Sequence, residues 1–251
     1  MLKKIKVVNF FGIKFYNYSY NFVINKMIKE GGYLCAPAAH PLYRILNKKD
    51  YVYYNALKKA NINLFDSGYF CFLLNLFLKI KVKKFSGYKF ISKFIKDKRL
   101  KNKKILLINP SIKDEEYNIK LFKKNNFKFI YSYLAPFYKS QASFFDRNLI
   151  KKINKIKPKI IIINISGLKQ ENLAFRINEG IKFKLSIFCL GGAISFITGT
   201  QAPINNFFDK YYLGWLIRII YNPNIFILRT IKSILLVKLV VKKNCIFNLH
   251  F

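Results

Sequence analysis

Between Lys159 and Ile165 the chain reads Lys-Ile-Ile-Ile-Ile-Asn-Ile, a run of β-formers without polar alternation. A strand that is apolar on both faces must be covered on both, which points to a parallel sheet with helices packed on either side. The run empties into Ser166-Gly167-Leu168-Lys169-Gln170-Glu171, after which the spacing becomes helical. Ligands of open parallel sheets bind outside the carboxyl ends of the strands, and there this loop brings a glycine, an amide and a carboxylate. A second strand end repeats the plan, with Asn61-Ile62-Asn63-Leu64-Phe65 leading into Asp66-Ser67-Gly68. Polar loops at two strand ends, one carrying a lone acid, point to an enzyme.

The same alternation runs along most of the chain. Residues 5–10 and 13–16, split by Phe11-Gly12, predict a β-hairpin. A helix over 20–30 is stopped by Gly31-Gly32, a short strand follows at 33–36, and helices are expected over 41–60 and 69–79. Residues 81–103 read as a basic segment bridging two lobes. Strands are expected at 104–109, 127–131, 159–165 and 185–190, with Asp114-Glu115-Glu116 opening a helix. The expected fold class is α/β: a Rossmann-like, mostly parallel sheet flanked by helices, with a small N-terminal lobe and a C-terminal helical appendage. Residues 1–100 would form the N-terminal α/β lobe carrying Asp66, 101–204 a second α/β lobe, and 205–251 the appendage.

Composition narrows the class of partner. The formal net charge is +35, with only six arginines against forty lysines. Lys, Ile, Asn, Phe and Tyr all have A/T-rich codons, and the lysines are spread along the whole chain. The charge therefore reads as genomic bias rather than a nucleic-acid patch, leaving a surface suited to anionic lipid or phosphate-bearing substrates. With 52% hydrophobic and 18% aromatic residues the chain is not disordered. Cys35, Cys71, Cys189 and Cys245 show no C-x-x-C spacing and are expected as buried, reduced thiols. Two histidines, His40 and His250, do not make a zinc site. The first fifteen residues lack the features of a signal peptide, and no apolar stretch reaches the roughly 18–20 residues that span a bilayer.

From Asn205 the character changes. Phe207, Phe208, Tyr211, Tyr212, Trp215 and Ile219 form an aromatic-aliphatic face with Lys210, Arg218 and Arg229 among them. Such a segment suits an interfacial amphipathic anchor; an ordinary helix packed on the sheet fits the pattern equally.

Read in order over roughly residues 8 to 230, these segments resemble the WecG/TagA/CpsF glycosyltransferases (glycosyltransferase family 26). Phe11-Gly12-Ile13-Lys14 and Gly31-Gly32 resemble the family's opening hairpin and helix. Leu64-Phe65-Asp66-Ser67-Gly68 is similar to its Leu-Pro-Asp-Gly signature, and Lys84-Phe85-Ser86-Gly87 to its Arg-Val-Thr-Gly. Ala135-Pro136-Phe137 resembles a Pro-Pro-Phe element, and the loop from Ser166 to Glu171 resembles Gly-x-Pro-Lys-Gln-Glu. Gly191-Gly192-Ala193 and Ala202-Pro203 follow as the family's Gly-Ala and Ala-Pro elements. Leu213-Gly214-Trp215-Leu216-Ile217-Arg218 with Asn222-Pro223 resembles its C-terminal Leu-Glu-Trp-Leu-x-Arg and Glu-Pro.

The resemblance implies an inverting transfer of a sugar, often of the N-acetylmannosamine type, from a UDP-sugar to a polyprenyl-diphosphate-linked acceptor. It implies surface polysaccharide as the product, no required metal, and a place on the cytoplasmic face of the membrane; homo-oligomers are common among such proteins. Asp66 matches the catalytic aspartate. Gln170 and Glu171 match the nucleotide-sugar-binding pair, with Gly68, Gly167 and Gly192 expected beside them at the donor; Arg218 matches a basic residue of the acceptor diphosphate site, where Lys84 and Arg229 are also expected. The chain departs from the family at Ala36-Pro37-Ala38, where Thr-Pro-Asn is usual, and at Lys89, Ser195, Asn224 and Ile225, where acids or arginines are usual. His40 could stand in behind the base.

The chemistry asks for these residue types independently. An inverting transfer needs a base for the acceptor hydroxyl, and a carboxylate in a partly dry cleft serves. Loop N–H groups, a helix N-terminus and basic side chains can stabilise departing UDP, and guanidinium binds phosphate in two-pronged fashion. Plain structural roles stay open beside these: a helix cap for Asp66, a helix-start acid for Glu171 and a surface arginine for Arg218. Transfer from a glucose-type donor, or a non-catalytic binding subunit, are the alternative functions.

Overall fold

The computed structural model describes residues 6–46, 50–140, 142–201, 214–241 and 246–250. In chain order it opens with β1 (Val7–Phe10) and β2 (Ile13–Tyr16), an antiparallel hairpin turning at Phe11-Gly12 with Phe10 opposite Ile13. Then come α1 (Tyr20–Glu30), β3 (Gly32–Cys35), the short α2 (Ala39–Leu42), α3 (Tyr51–Lys59), β4 (Ile62–Leu64), α4 (Gly68–Leu78) and α5 (Gly87–Lys96). The chain continues through β5 (Lys104–Asn109), α6 (Ile112–Lys124), β6 (Phe129–Leu134), α7 (Arg147–Ile156), β7 (Ile160–Ile163), α8 (Lys169–Gly180), β8 (Ser186–Cys189) and α9 (Ala193–Thr198). It ends in α10 (Gly214–Tyr221), α11 (Pro223–Ile234), α12 (Leu236–Val241) and β9 (Ile246–His250).

The strands form one sheet in the order β6-β5-β7-β8-β3-β4-β2-β1-β9. Every pairing from β6 to β2 is parallel, and only β1 runs against its neighbours. This is the mostly parallel α/β sheet that the isoleucine run implied. All four residues of β7 are buried. Ile161 and Ile163 join Leu106, Ile108 and Ile187 on one face, covered by α3, α4, α7, α8 and α12. Ile160 and Ile162 join Ile105, Leu107 and Phe188 on the other, covered by α1, α5, α6 and α9. Strands from residues 1–100 and 101–204 share the sheet through β3 and β8, with Cys35 beside Cys189. Cys35, Cys71 and Cys189 are buried free thiols; Cys245 lies outside the described residues.

Helix starts follow local chemistry. Ser19, Ser67, Ser86 and Ser111 each accept the backbone N–H three residues on, as does Asp146, the side-chain caps that fix an N-terminus.

Four local expectations differ from the structure. The basic stretch 81–103 is not merely a bridge: it contains α5, which buries Phe90, Ile91, Phe94 and Ile95 while its lysines point outward. The expected helix over 41–60 is interrupted, because the chain tightens into a 3₁₀ turn at Tyr43–Leu46 and Arg44 folds back on Asp50 through bonds of 2.8 and 2.9 Å. β6 begins two residues later than expected and forms the half-exposed edge of the sheet. The last part of the appendage is a strand, β9, whose backbone pairs antiparallel to β1. The expected aromatic face at Phe207, Phe208, Tyr211 and Tyr212, with Lys210, lies outside the described residues, as do Ala202-Pro203 and Leu213.

Candidate active site

Because β7, β8, β3 and β4 are parallel neighbours, the loops after them emerge at one edge. Residues far apart in sequence therefore meet there.

Asp66 follows β4 and is half-buried. Its Oδ1 accepts the Gly87 N–H at 2.7 Å, and Phe85 N–H donates to the Phe65 carbonyl at 2.8 Å, so residues 85–87 run along the strand end. A Cβ on Gly87 would stand 2.9 Å from the Leu190 carbonyl oxygen. Only glycine lets α5 start between the Asp66 carboxylate and the end of β8. The helix N-terminus then faces the acid, a favourable dipole arrangement. Lys84 is half-buried nearby: burial pushes the Cys71 thiol up to about 12, with Lys84 opposing and Asp66 adding to that shift. Gly68 opens α4 directly after the Ser67 cap.

The loop after β7 packs on α2, where a Cβ on Gly167 would meet Pro41 at 3.3 Å. Leu168 carries a φ of 72°, a strained value for a residue with a side chain. Gln170 and Glu171 are 2% and 0% exposed, so neither side chain lies open to solvent. Gln170 Nε2 donates to Glu171 Oε1 at 2.9 Å, and Gln170 Oε1 accepts the Gly191 N–H at 2.7 Å. The pair thus ties the loop after β7 to the loop after β8. Burial raises the Glu171 carboxyl to about 7, against hydrogen bonding from Gln170 and nearby backbone, with Asp66 adding to the rise. Gly192 precedes α9, and a Cβ there would meet the flexible Gln201 side chain at 2.9 Å.

The appendage supplies cations. Arg218 on α10 lies over the Phe196 ring at 4.6 Å, and its Nε is buried with no hydrogen-bond partner among the described residues. Burial works against its charge, the Asp66 carboxylate favours it and Arg229 opposes it. Arg229 is exposed on α11 over Phe226 at 5.3 Å. His40 sits half-buried on α2 beneath α11, and burial with Arg229, Lys232 and Arg44 pushes its imidazole down to about 4. Its charged neighbours are thus the cations of the appendage and of the 3₁₀ turn.

The structure adds polar groups that sequence reasoning did not single out. Asn109 Oδ1, at the end of β5, accepts from Asn118 at 2.7 Å and from Asn164 at 3.0 Å, all buried. Asp114 accepts from Thr200 at 2.9 Å and from Ser195 at 3.4 Å. An asparagine closing an otherwise apolar strand, as at Asn109 and Asn164, was the available signal. Among the described residues no three His, Cys, Asp or Glu side chains gather as a metal site.

A parallel α/β sheet whose carboxyl edge collects an acid, a buried amide–acid pair and a guanidinium defines an enzyme of the open-sheet class. Residues 8–248 match the sequence profile of the Glycosyl transferase WecG/TagA/CpsF family, and the chain belongs to that family. It is accordingly a glycosyltransferase of cell-surface polysaccharide biosynthesis. No curated protein gives a significant match.

Proposed function

We propose that the protein transfers a sugar, of the N-acetylhexosamine type, from a UDP-sugar to a polyprenyl-diphosphate-linked acceptor with inversion and without a metal. Asp66 takes the proton of the acceptor hydroxyl as that oxygen attacks the anomeric carbon. The bond from the anomeric carbon to the UDP oxygen breaks on the opposite face, and UDP carries away the negative charge. N–H groups of the loops after β7 and β8 receive the diphosphate of the donor. Lys84, Arg218 and Arg229 attract the acceptor diphosphate. What most supports this reading is the half-buried Asp66 carboxylate, held at the end of β4 by the Gly87 N–H at 2.7 Å, in a place where its charge favours that of the buried Arg218 guanidinium.

No helix among the described residues is long and apolar enough to cross a membrane. Trp215, Ile220, Leu228, Ile231 and Ile234 are exposed along α10 and α11, with Arg229 and Lys232 among them. Such a basic, apolar face supports peripheral binding to the cytoplasmic membrane surface, where a polyprenyl acceptor resides.

The test is UDP release from a panel of UDP-sugars with a short-chain polyprenyl-diphosphate-GlcNAc acceptor. Acceptor-dependent release from one donor, lost in Asp66→Asn while UDP still binds, is the expected result. A glucose-type donor would win the panel if the alternative transfer holds. UDP binding without release from any donor would favour a binding subunit.

A further inference from the structure

We propose that Glu171 is a positioning residue: buried under the strand-end loops, it fixes the Gln170 amide, and Gln170 in turn holds the loop after β8 by its Gly191 N–H, without Glu171 touching the donor. This deepens the transfer reading above and rests on it for the identity of the ligand.

Geometry carries the argument. Glu171 is wholly buried, and Gln170 stands between it and the Gly191 backbone in a two-bond chain of 2.9 and 2.7 Å. The Gln170 backbone carbonyl also receives the Cys189 thiol at 3.5 Å, so strand β8 and its loop are gripped at two points. Either protonation state of Glu171 lets Oε1 accept from Gln170. Oε2, however, is buried with no partner among the described residues. An ionised carboxylate would leave its charge there unpaired, a far larger penalty than an unpaired hydroxyl.

The Gln170 amide and the Glu171 and Leu168 backbone favour the ionised form of Glu171, but no cationic side chain among the groups that face it supplies a countercharge. Asp66 comes from the loop after β4, Tyr53 from α3, and the Cys35 and Cys189 thiols from β3 and β8; the carboxyl acts on all three of the latter. The Tyr53 hydroxyl is itself buried and unpartnered among the described residues. On α8 itself, Lys169 is engaged over the Phe137 ring at 3.7 Å and Arg176 with Glu179 at 3.1 Å. The rise of the carboxyl to about 7 agrees with this setting. A bound diphosphate adds negative charge at the same edge, so ligand binding favours the neutral acid further and weakens as Glu171 ionises.

Glu171→Gln keeps the shape and the neutral carbonyl, whereas Glu171→Ala removes the anchor. UDP binding by calorimetry and thermal melting, on the full chain between about pH 6 and about pH 8.5, compares both with the parent protein. The expected result is that E171Q binds UDP within about threefold of wild type near pH 6, while E171A binds about tenfold more weakly. The ratio of wild-type to E171Q dissociation constants should then rise, by about tenfold, toward alkaline pH as Glu171 ionises. The melting temperature of wild type relative to E171Q should fall over the same range. Weakened UDP binding by E171Q at every pH, with unchanged melting, would mean the carboxylate touches the ligand and overturns the proposal. A melting difference that ignores pH overturns it as well. If neither protein binds UDP, the donor reading falls, and the melting difference alone upholds or overturns the neutral anchor.

Discussion

At Asp66 a hydrogen bond from the start of α5 helps to orient the carboxylate. Gly87 N–H holds Oδ1, and the Leu190 carbonyl backs Gly87 from the other side. Asp66→Asn should lower the transfer rate by about 10²–10⁴, the usual worth of a general base, with UDP affinity kept; steady-state kinetics and calorimetry check both halves. Gly87→Ala forces a Cβ into a 2.9 Å contact with backbone, so a loss of about 1–3 kcal/mol is expected in denaturant melts, with slower transfer as α5 is pushed off the acid. Glu171 and His40 give opposite pH slopes. The folded carboxyl is raised from 4.5 to about 7, so its contribution is full below about pH 4.5 and is lost as pH rises through about 7. The imidazole is lowered from 6.5 to about 4, so its contribution is present above about pH 6.5 and is lost as pH falls through about 4. Melting curves of E171Q should therefore show stability rising from about pH 4 to about pH 6.5 with no decline beyond.

Among the elements, α5 shows how a strong composition signal can hide a helix. Lys83, Lys84, Lys89, Lys93, Lys96 and Lys98 make the stretch look like a basic connector. Yet Phe90, Ile91, Phe94 and Ile95 return at helical spacing to one face and are buried in one cluster with Phe122, Phe127 and Phe188, whose rings Phe94 touches. Phe94→Ala should cost about 3–5 kcal/mol and Ser86→Ala about 1 kcal/mol through loss of the cap. Lys93→Ala should stay within about 0.5 kcal/mol. Urea titrations of the three variants measure this ranking. The interruption of the 41–60 helix was hidden for another reason: a turn held by Arg44 gripping Asp50 leaves no mark in hydrophobic spacing.

Over the whole molecule, the appendage both completes the core and faces outward. Leu236, Leu239 and Val240 of α12 are buried in the same cluster as Phe70 and Leu74 of α4, while α10 and α11 leave apolar side chains exposed. Leu236→Ala should cost about 2–5 kcal/mol in a thermal or denaturant melt. Ile231→Glu should leave folding intact and weaken sedimentation with anionic vesicles, binding that salt also weakens by screening the basic residues. By itself the sequence determined the parallel strands of the sheet, several of the helices and the presence of an acid and an amide pair at strand ends. Continuous apolar runs demand two-sided burial, and Ser or Asp caps act within three residues. Only the tertiary structure decided that β8 lies beside β3, and hence that the loops of Asp66, Gln170 and Gly191 share one edge. It also turned Gln170 and Glu171 inward and placed Arg218 over the Phe196 ring. Adjacency of strands and burial of a side chain depend on contacts between distant residues, and no local pattern in a single chain encodes them.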